Sequence, residues 1–387
     1  MSSHMPSHIM IIAGETSGDL LGADLMQALR RRDEGVMVTG IGGPKMTAQG
    51  LSSIFPMDEI AVMGLKEILS RLPQLFKRVD EAVQHALMSE PDVMVLIDSP
   101  EFNHRVAKRV KAKRPQTKII CYVAPHVWAW RRGRARKMRR YFDAVMAFLP
   151  FEPDVFTAND GPPCHFVGHP ITDRLEALEP LPDIPPKYGL KKTDIPLAIL
   201  PGSRVSEVNV LVPVFTQVLR MLDGRIDNLR PIIPLVPHMA ETVRAKTANW
   251  PGRPIYIEDE GEKFAAFHLS RAALAASGTA TMELALAGLP TVVAYNMGLM
   301  GDFLMRTMPV PSVVLPNLIL DQPAMPEFLQ ERCDARLIAP LLQRMIEDDN
   351  VNAHYRDMLA AFRPAMRQQG EKPADRAAAL TLSIISD

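Results

Sequence analysis

The stretch Leu274-Ala-Ala-Ser-Gly-Thr-Ala-Thr-Met-Glu-Leu-Ala-Leu-Ala-Gly-Leu-Pro290 decides the fold. An apolar run ends in Ser277-Gly278-Thr279, and a helix-forming run begins at once, to stop at Gly288-Leu-Pro290. Gly288 suits the left-handed position that closes a helix, and Pro290 cannot continue one. Small residues and hydroxyls therefore stand where a strand feeds a helix N-terminus. There the unpaired N–H groups and the positive end of the macrodipole face outward, which favours an anion and most often a phosphate. Glu283 lies one turn into the helix, where a carboxylate can accept both hydroxyls of a ribose. A capped helix carrying a solvated glutamate gives the same pattern.

A second stretch tips the balance. Ala198-Ile-Leu-Pro-Gly-Ser-Arg204 is again strand, glycine turn and helix start, with Ser203 expected as N-cap and Arg204 in the first turn. The planar fork of an Arg suits a diphosphate. Two phosphate-grade turns in one half of the chain point to a nucleotide site.

The chain of 387 residues, 47% apolar, is long enough for two domains with real cores. Its formal net charge of zero gives no bulk attraction to nucleic acid or to an acidic membrane. Cys121, Cys164 and Cys333 are odd in number and far apart, which fits a reduced cytosolic compartment and neither a disulfide framework nor a zinc site. No uninterrupted apolar run approaches the roughly 18–20 residues of a spanning helix. Met1 to His8 lack the basic start and apolar core of a signal peptide. The expectation is a cytosolic protein.

Strands are expected at Ile9–Ala13, Val36–Gly40, Val93–Ile97, Lys118–Val123 and Ala144–Phe148, with helices between them. Pro180 to Pro186 reads as a linker. A second run has strands near Leu197–Leu200, Pro231–Leu235, Ile255–Ile257, Ala272–Ala276 and Thr291–Ala294. Past Asn317 the chain reads as helical, through Pro326–Gln330 and Leu337–Glu347, to a last helix from Asn352 towards Ser386. The fold class is α/β, with two Rossmann-like doubly wound domains facing a cleft. The expected boundaries are 9–175, 186–345 and a C-terminal helical segment, 346–387, packing back on the first domain.

Val93-Met-Val-Leu-Ile-Asp-Ser-Pro-Glu-Phe-Asn103 reads as a buried parallel strand ending in Asp98. Ligands of open α/β sheets sit beyond the carboxyl ends of the strands, so Asp98 is a candidate general base towards a hydroxyl. It is equally a candidate helix cap. Asp19, just past the first strand in Gly14-Glu-Thr-Ser-Gly-Asp19, is similarly ambiguous.

Glu59 to Val79 carries apolar residues at helical spacing, among them Met63, Leu69, Leu72 and Phe76. It reads either as a helix packed on the first sheet or as a face towards lipid. From Arg105 to Arg140 there is no Asp or Glu, and Trp128-Ala-Trp-Arg-Arg-Gly-Arg lies in the middle. That stretch suits anionic lipid or a phosphorylated ligand better than RNA in a chain that is neutral as a whole. There is no HExxH, CxxC or Asp-x-Asp spacing, so no metal site is expected. GxSxG and P-loop motifs are absent too.

These residues resemble the lipid-A-disaccharide synthases along nearly the whole chain. The resemblance is carried by Ala13-Gly-Glu-Thr-Ser-Gly-Asp19, Ala61-Val-Met-Gly64, Ile97-Asp-Ser-Pro-Glu-Phe-Asn103, Val127-Trp-Ala-Trp-Arg131 and Phe148-Leu-Pro-Phe-Glu152. It continues in Gly168-His169, Leu200-Pro-Gly-Ser-Arg204 with Glu207, Ala276-Ser-Gly-Thr-Ala280 with Glu283, and Leu315-Pro-Asn-Leu318. His126 stands where the family usually has Ser, and no role is assigned to it.

The resemblance implies a GT-B glycosyltransferase (family 19) without cofactor or metal. It would join UDP-2,3-diacylglucosamine to 2,3-diacylglucosamine 1-phosphate through a β-1,6 linkage and release UDP. It implies Asp98 as base, Arg204, Ser203, Ser277, Gly278 and Thr279 at the diphosphate, Glu283 at the ribose, and Asn317 at the same cleft. Glu15, Ser17, Asp19 and Asn103 are candidates for the acceptor side, and Met63, Leu69, Leu72 and Phe76 for acyl or membrane contact. The family pattern also suggests peripheral contact with the cytoplasmic face of the inner membrane, no nucleic acid, and a homodimer that exchanges its C-terminal segment. Another UDP-sugar enzyme of the same fold, such as a UDP-N-acetylglucosamine 2-epimerase, is the alternative. A nucleotide- or RNA-binding protein without catalysis is a third reading.

Overall fold

A computed structural model describes residues 7–61, 65–130, 132–179, 181–184, 186–298, 310–367 and 371–386, with backbone alone at 65–71, 177 and 186. The chain forms two units: residues 7–170 with 371–386, and Ile171–Arg367. The division falls at Pro170 rather than in the expected linker from Pro180 to Pro186, and of segment 346–387 only the part beyond Arg367 belongs with the first unit.

In the first unit the strands are β1 (His8–Ala13), β2 (Met37–Ile41), β3 (Val93–Ile97), β4 (Lys118–Tyr122), β5 (Ala144–Ala147) and β6 (Cys164–Phe166). They form one parallel sheet in the order β2-β1-β3-β4-β5-β6. His8–Ala13 and Val93–Ile97 are apolar at nearly every position because both faces of the sheet are covered. Alternate side chains feed two cores. Met10, Ile12, Met94 and Leu96 pack with α3 (Leu65–Ser89) and α4 (Pro100–Lys113). Ile9, Ile11, Val93 and Val95 pack with α1 (Thr16–Arg32) and with the C-terminal helix, whose Ala377 and Ala378 are fully buried.

The helix expected from Glu59 begins instead at Leu65 and runs on to Ser89. Val79, Ala82, Val83 and Ala86 anchor its later turns in the core, so the reading as a packed helix holds there. Phe76 is exposed. Met63 lies outside the described residues, and only the backbone of Leu69 is described.

In the second unit β7 (Ile195–Leu200), β8 (Leu229–Pro234), β9 (Ile255–Ile257), β10 (Ala272–Ala276), β11 (Thr291–Tyr295) and β12 (Glu327–Leu329) form a parallel sheet in the order β12-β11-β10-β7-β8-β9. Its core is filled largely by α8 (Val205–Leu222) and by Ala335–Glu347. By composition α8 is apolar enough to cross a membrane, yet Val208, Leu211, Phe215, Leu219 and Leu222 lie in this core. The stretch read as helical at Pro326–Gln330 contains edge strand β12, which pairs Val293 with Glu327. Glu327-Phe-Leu329 carries a charge and no β-branched residue, so it does not read as a strand in the sequence. The single last helix breaks into Asp349–Ala360, Phe362–Met366 and Pro373–Ser386.

Both sheets reverse their strand order once, between β1 and β3 and between β7 and β10. Helices leave those neighbouring strand ends on opposite faces, which opens a crevice for a ligand. The turns singled out by the sequence stand at these two places.

Glu152 opens α6 (Glu152–Ala158) just after β5 and is 2% exposed. Burial pushes its carboxyl up to about 8, against the lowering pull of the Leu149 and Phe148 N–H groups. The folded state therefore holds a proton that the unfolded chain gives up near pH 4.5. The stability this contributes is complete below that pH and is lost as the pH rises to about 8. Glu152→Gln removes the titration, so its melting temperature should gain on that of the unsubstituted protein across this window. Parallel melting curves across the same window would contradict this.

Candidate active site

In the first unit the turn after β1 meets the turn after β3. A Cβ on Gly14 would stand 2.5 Å from the Ser99 Cβ, so glycine is what lets these turns touch. Asp98 (φ +51°) and Ser99 (φ +41°) are consecutive left-handed residues without being glycines, at a cost of about 1–3 kcal/mol each. Asn103, 2% exposed, holds them there by donating to the carbonyls of Ile97 (3.1 Å) and Asp98 (2.7 Å). Asp98 does not cap α4. Ser99 takes the N-cap position, and the half-buried Asp98 carboxylate accepts the Ser99 N–H at 2.9 Å.

Glu15 faces the same spot, and burial together with the Asp98 charge raises its carboxyl above the usual range. Ser17 is exposed in the first turn of α1. Asp19 is turned away and 1% exposed, accepting from the backbone N–H groups of Gly43, Lys45 and Met46 at 2.8–3.0 Å. Its carboxylate is engaged in capping α2 (Pro44–Ala48), so the acceptor-side expectation for Asp19 is corrected to a structural one. Beside Ser99 opens a cavity of about 150 Å³, lined by Glu15 and Arg105 together with the apolar Ile60, Leu72, Leu75 and Phe102.

The second unit holds a cavity of about 520 Å³ between the turns after β7 and β10. Gly202 has φ +115°, and a Cβ there would stand 2.6 Å from the Glu207 Cβ. Ser203, expected as N-cap, lies one residue short. Arg204 holds that position, and the Glu207 carboxylate reaches back to the N–H groups of Ser203 (2.9 Å) and Arg204 (3.3 Å). The Arg204 guanidinium pairs with Glu207 at 2.9 Å and stays 69% exposed at the cavity.

Opposite, Ser277, Gly278 and Thr279 lead into α11 (Thr279–Leu286), and the Ser277 hydroxyl donates to the Val313 carbonyl. Gly288 has the expected left-handed backbone, φ +63°. Glu283 lines the cavity one turn into the helix. Asn317 does not line it. Its amide is spent on Met325 and Glu327, and only 6% of the residue is exposed.

Sequence reading missed Lys263 and Arg174, which line the same cavity. Lys263 sits on α10 (Glu260–Leu269) and pairs with Glu283 at 2.9 Å, while Arg174 pairs with Glu260. A Glu and a Lys three apart on a helix are common, and nothing in the chain marks these two.

Two doubly wound units with ligand crevices at their strand-order reversals define a GT-B fold of the kind shared by glycosyltransferases and epimerases. The calicheamicin glycosyltransferase CalG4 is similar at a TM-score of 0.60 with 14% identity, over 99% of both chains. A UDP-GlcNAc 2-epimerase from Neisseria meningitidis, solved bound to UDP-GlcNAc, matches at 0.60 with 9% identity over 98% of this chain and 99% of its own. At such identities the likeness shows the fold alone.

The sequence settles the family. Residues 9–381 match the model of the lipid-A-disaccharide synthetase family, and the chain belongs to that family. It is 41% identical to the lipid-A-disaccharide synthase of Rhodopseudomonas palustris strain HaA2 over 380 residues, 97% of this chain and 96% of the relative.

Glu283→Gln should weaken UDP binding about tenfold, the scale of one hydrogen bond to a charged acceptor, and leave inorganic pyrophosphate binding unchanged. Calorimetric titration checks both, and equal loss for the two ligands would place Glu283 away from the ribose.

Proposed function

We propose that this chain transfers 2,3-diacylglucosamine from UDP-2,3-diacylglucosamine to the 6-hydroxyl of 2,3-diacylglucosamine 1-phosphate. The observation that carries this reading, within a family of lipid A enzymes, is the apolar cavity opening beside Ser99 in the turn that carries Asp98. An acyl chain has a place to lie next to a carboxylate suited to proton transfer. The cavity shared by Arg204, Ser277, Gly278, Thr279 and Glu283 gives the nucleotide its own place in the second unit.

In the proposed step the acceptor O6 attacks the donor anomeric carbon while Asp98 takes the hydroxyl proton. The bond from that carbon to the diphosphate oxygen breaks, and UDP leaves with the electron pair. One displacement turns an α-linked donor into a β product, with no covalent intermediate. Arg204, Ser203 and the N-terminal end of α11 offset the charge growing on the diphosphate, so the reaction proceeds without a metal. Glu283 accepts from the ribose. Glu15 stands beside the base as a second carboxyl, and Asn103 positions it.

Contact with the cytoplasmic face of the inner membrane belongs to the same reading. Phe76 on α3 is 41% exposed, Trp130 is 50% exposed, and the neighbouring Arg136, Lys137, Arg139 and Arg140 are exposed. Apolar and cationic side chains together suit an anionic lipid surface. The homodimer expected from the family pattern stays part of the proposal.

The test is to incubate both substrates in detergent, with and without chelator, and follow UDP release and product mass. A disaccharide 1-phosphate should form in both conditions. Asp98→Asn should lower kcat about 10²–10⁴-fold with UDP affinity unchanged. UDP release without a disaccharide, or an active Asp98→Asn variant, would overturn the assignment.

A further inference from the structure

Four charged side chains form a chain of ion pairs, and three of them, Arg174, Lys263 and Glu283, line the second unit's cavity. Arg174, on the helix Pro170–Ala177, pairs with Glu260 at the start of α10. Glu260 lies 4.0 Å from Lys263, one turn along the same helix, and Lys263 donates to Glu283 Oε1 on α11 at 2.9 Å. The inner pair is well covered: the Lys263 and Glu283 side chains are 19% and 15% exposed. The Lys263 ammonium also stands 4.8 Å from the centre of the Phe264 ring. An ion pair so enclosed is screened far less than a surface pair and fixes its partners more tightly.

A glutamate on a helix has three side-chain torsions, and a lone Glu283 would sample many of their combinations. Lys263 holds one carboxylate oxygen and leaves the other, Oε2, without a partner among the described residues. A carboxylate has about four acceptor positions, so one oxygen and a spare lone pair remain for two ribose hydroxyls.

We infer that Lys263 is a positioning residue for the nucleotide sugar, which, by tethering Glu283, makes the site select a ribonucleoside over a 2′-deoxyribonucleoside diphosphate. This rests on the second unit's cavity being the UDP site. The network assigns Lys263 to the carboxylate and not to the diphosphate, and Glu260 with Arg174 steadies it from behind.

The experiment is calorimetric titration of UDP and 2′-deoxy-UDP into the full chain and its Lys263→Met, Lys263→Arg, Glu283→Gln and Lys263→Met/Glu283→Gln variants, with melting temperatures to confirm folding. The unsubstituted protein should prefer UDP about tenfold. Lys263→Met should bring that ratio near one while 2′-deoxy-UDP binding changes less than about twofold. Lys263→Arg should keep most of the preference, and the double variant should match Glu283→Gln alone.

Equal weakening of both nucleotides in Lys263→Met, with losses additive to Glu283→Gln, would mean a direct phosphate contact and overturn the inference. So would a preference that survives Lys263→Met. If the unsubstituted protein binds neither nucleotide, the UDP site itself is misplaced and the inference falls with it.

Discussion

Everything functional in this protein depends on where two parallel sheets reverse their strand order. Hydrogen bonding alone would let β1 and β3, or β7 and β10, lie anywhere in their sheets. Their helices must cover both faces, and that sends successive connections to opposite sides at one boundary in each sheet. At that boundary neighbouring strand ends are uncovered together. Asp98 and Glu15 emerge at one boundary, and the Gly202 and Gly278 turns at the other.

The two boundaries use different chemistry. In the second unit the turns are glycine-led, so the backbone reaches positive φ at little cost and leaves room for a ligand along its N–H groups. In the first unit the same kind of turn is made by Asp98 and Ser99, which strain it. Asn103 offsets that strain with two hydrogen bonds, one buried and one partly buried, worth about 1 kcal/mol each, and Gly14 offsets it by leaving space. The fold tolerates a costly backbone at position 98, where the proposed mechanism uses the Asp98 side chain. This is what is expected of a residue retained for chemistry and not for stability.

Much of this was legible in the chain, because buried parallel strands read as apolar runs and phosphate turns read as glycine with small hydroxyls. Eight strands matched within one residue at either end for that reason, among them Val93–Ile97 and Ala272–Ala276. Edge strands β6 and β12 escaped because Cys-His-Phe and Glu-Phe-Leu carry a polar residue and no β-branched one, whereas the equally short Ile255–Ile257 reads as a strand. Asp19 and Asp98 look alike in sequence, each an acid just past a strand. Only the fold shows that Asp19 meets the open N–H groups of α2 while Asp98 stands in the turn whose Ser99 lines a cavity. Ser203 lost the cap to Arg204 because Glu207 reaches back over the turn. Lys263 and Arg174 were illegible because their meaning is wholly tertiary. They come from helices far from Glu283 in the chain and matter only through what they touch.

The measurement that tests the account most directly is kcat for Asn103→Ala, beside its UDP affinity, at a temperature where the variant is folded. If the strained turn is what aims the Asp98 carboxylate, kcat falls at least tenfold and UDP binds as before, because the proposed nucleotide site lies in the other unit. Full turnover in a folded Asn103→Ala protein would mean that Asp98 needs no such support, and that the strand-end geometry is not the source of catalysis.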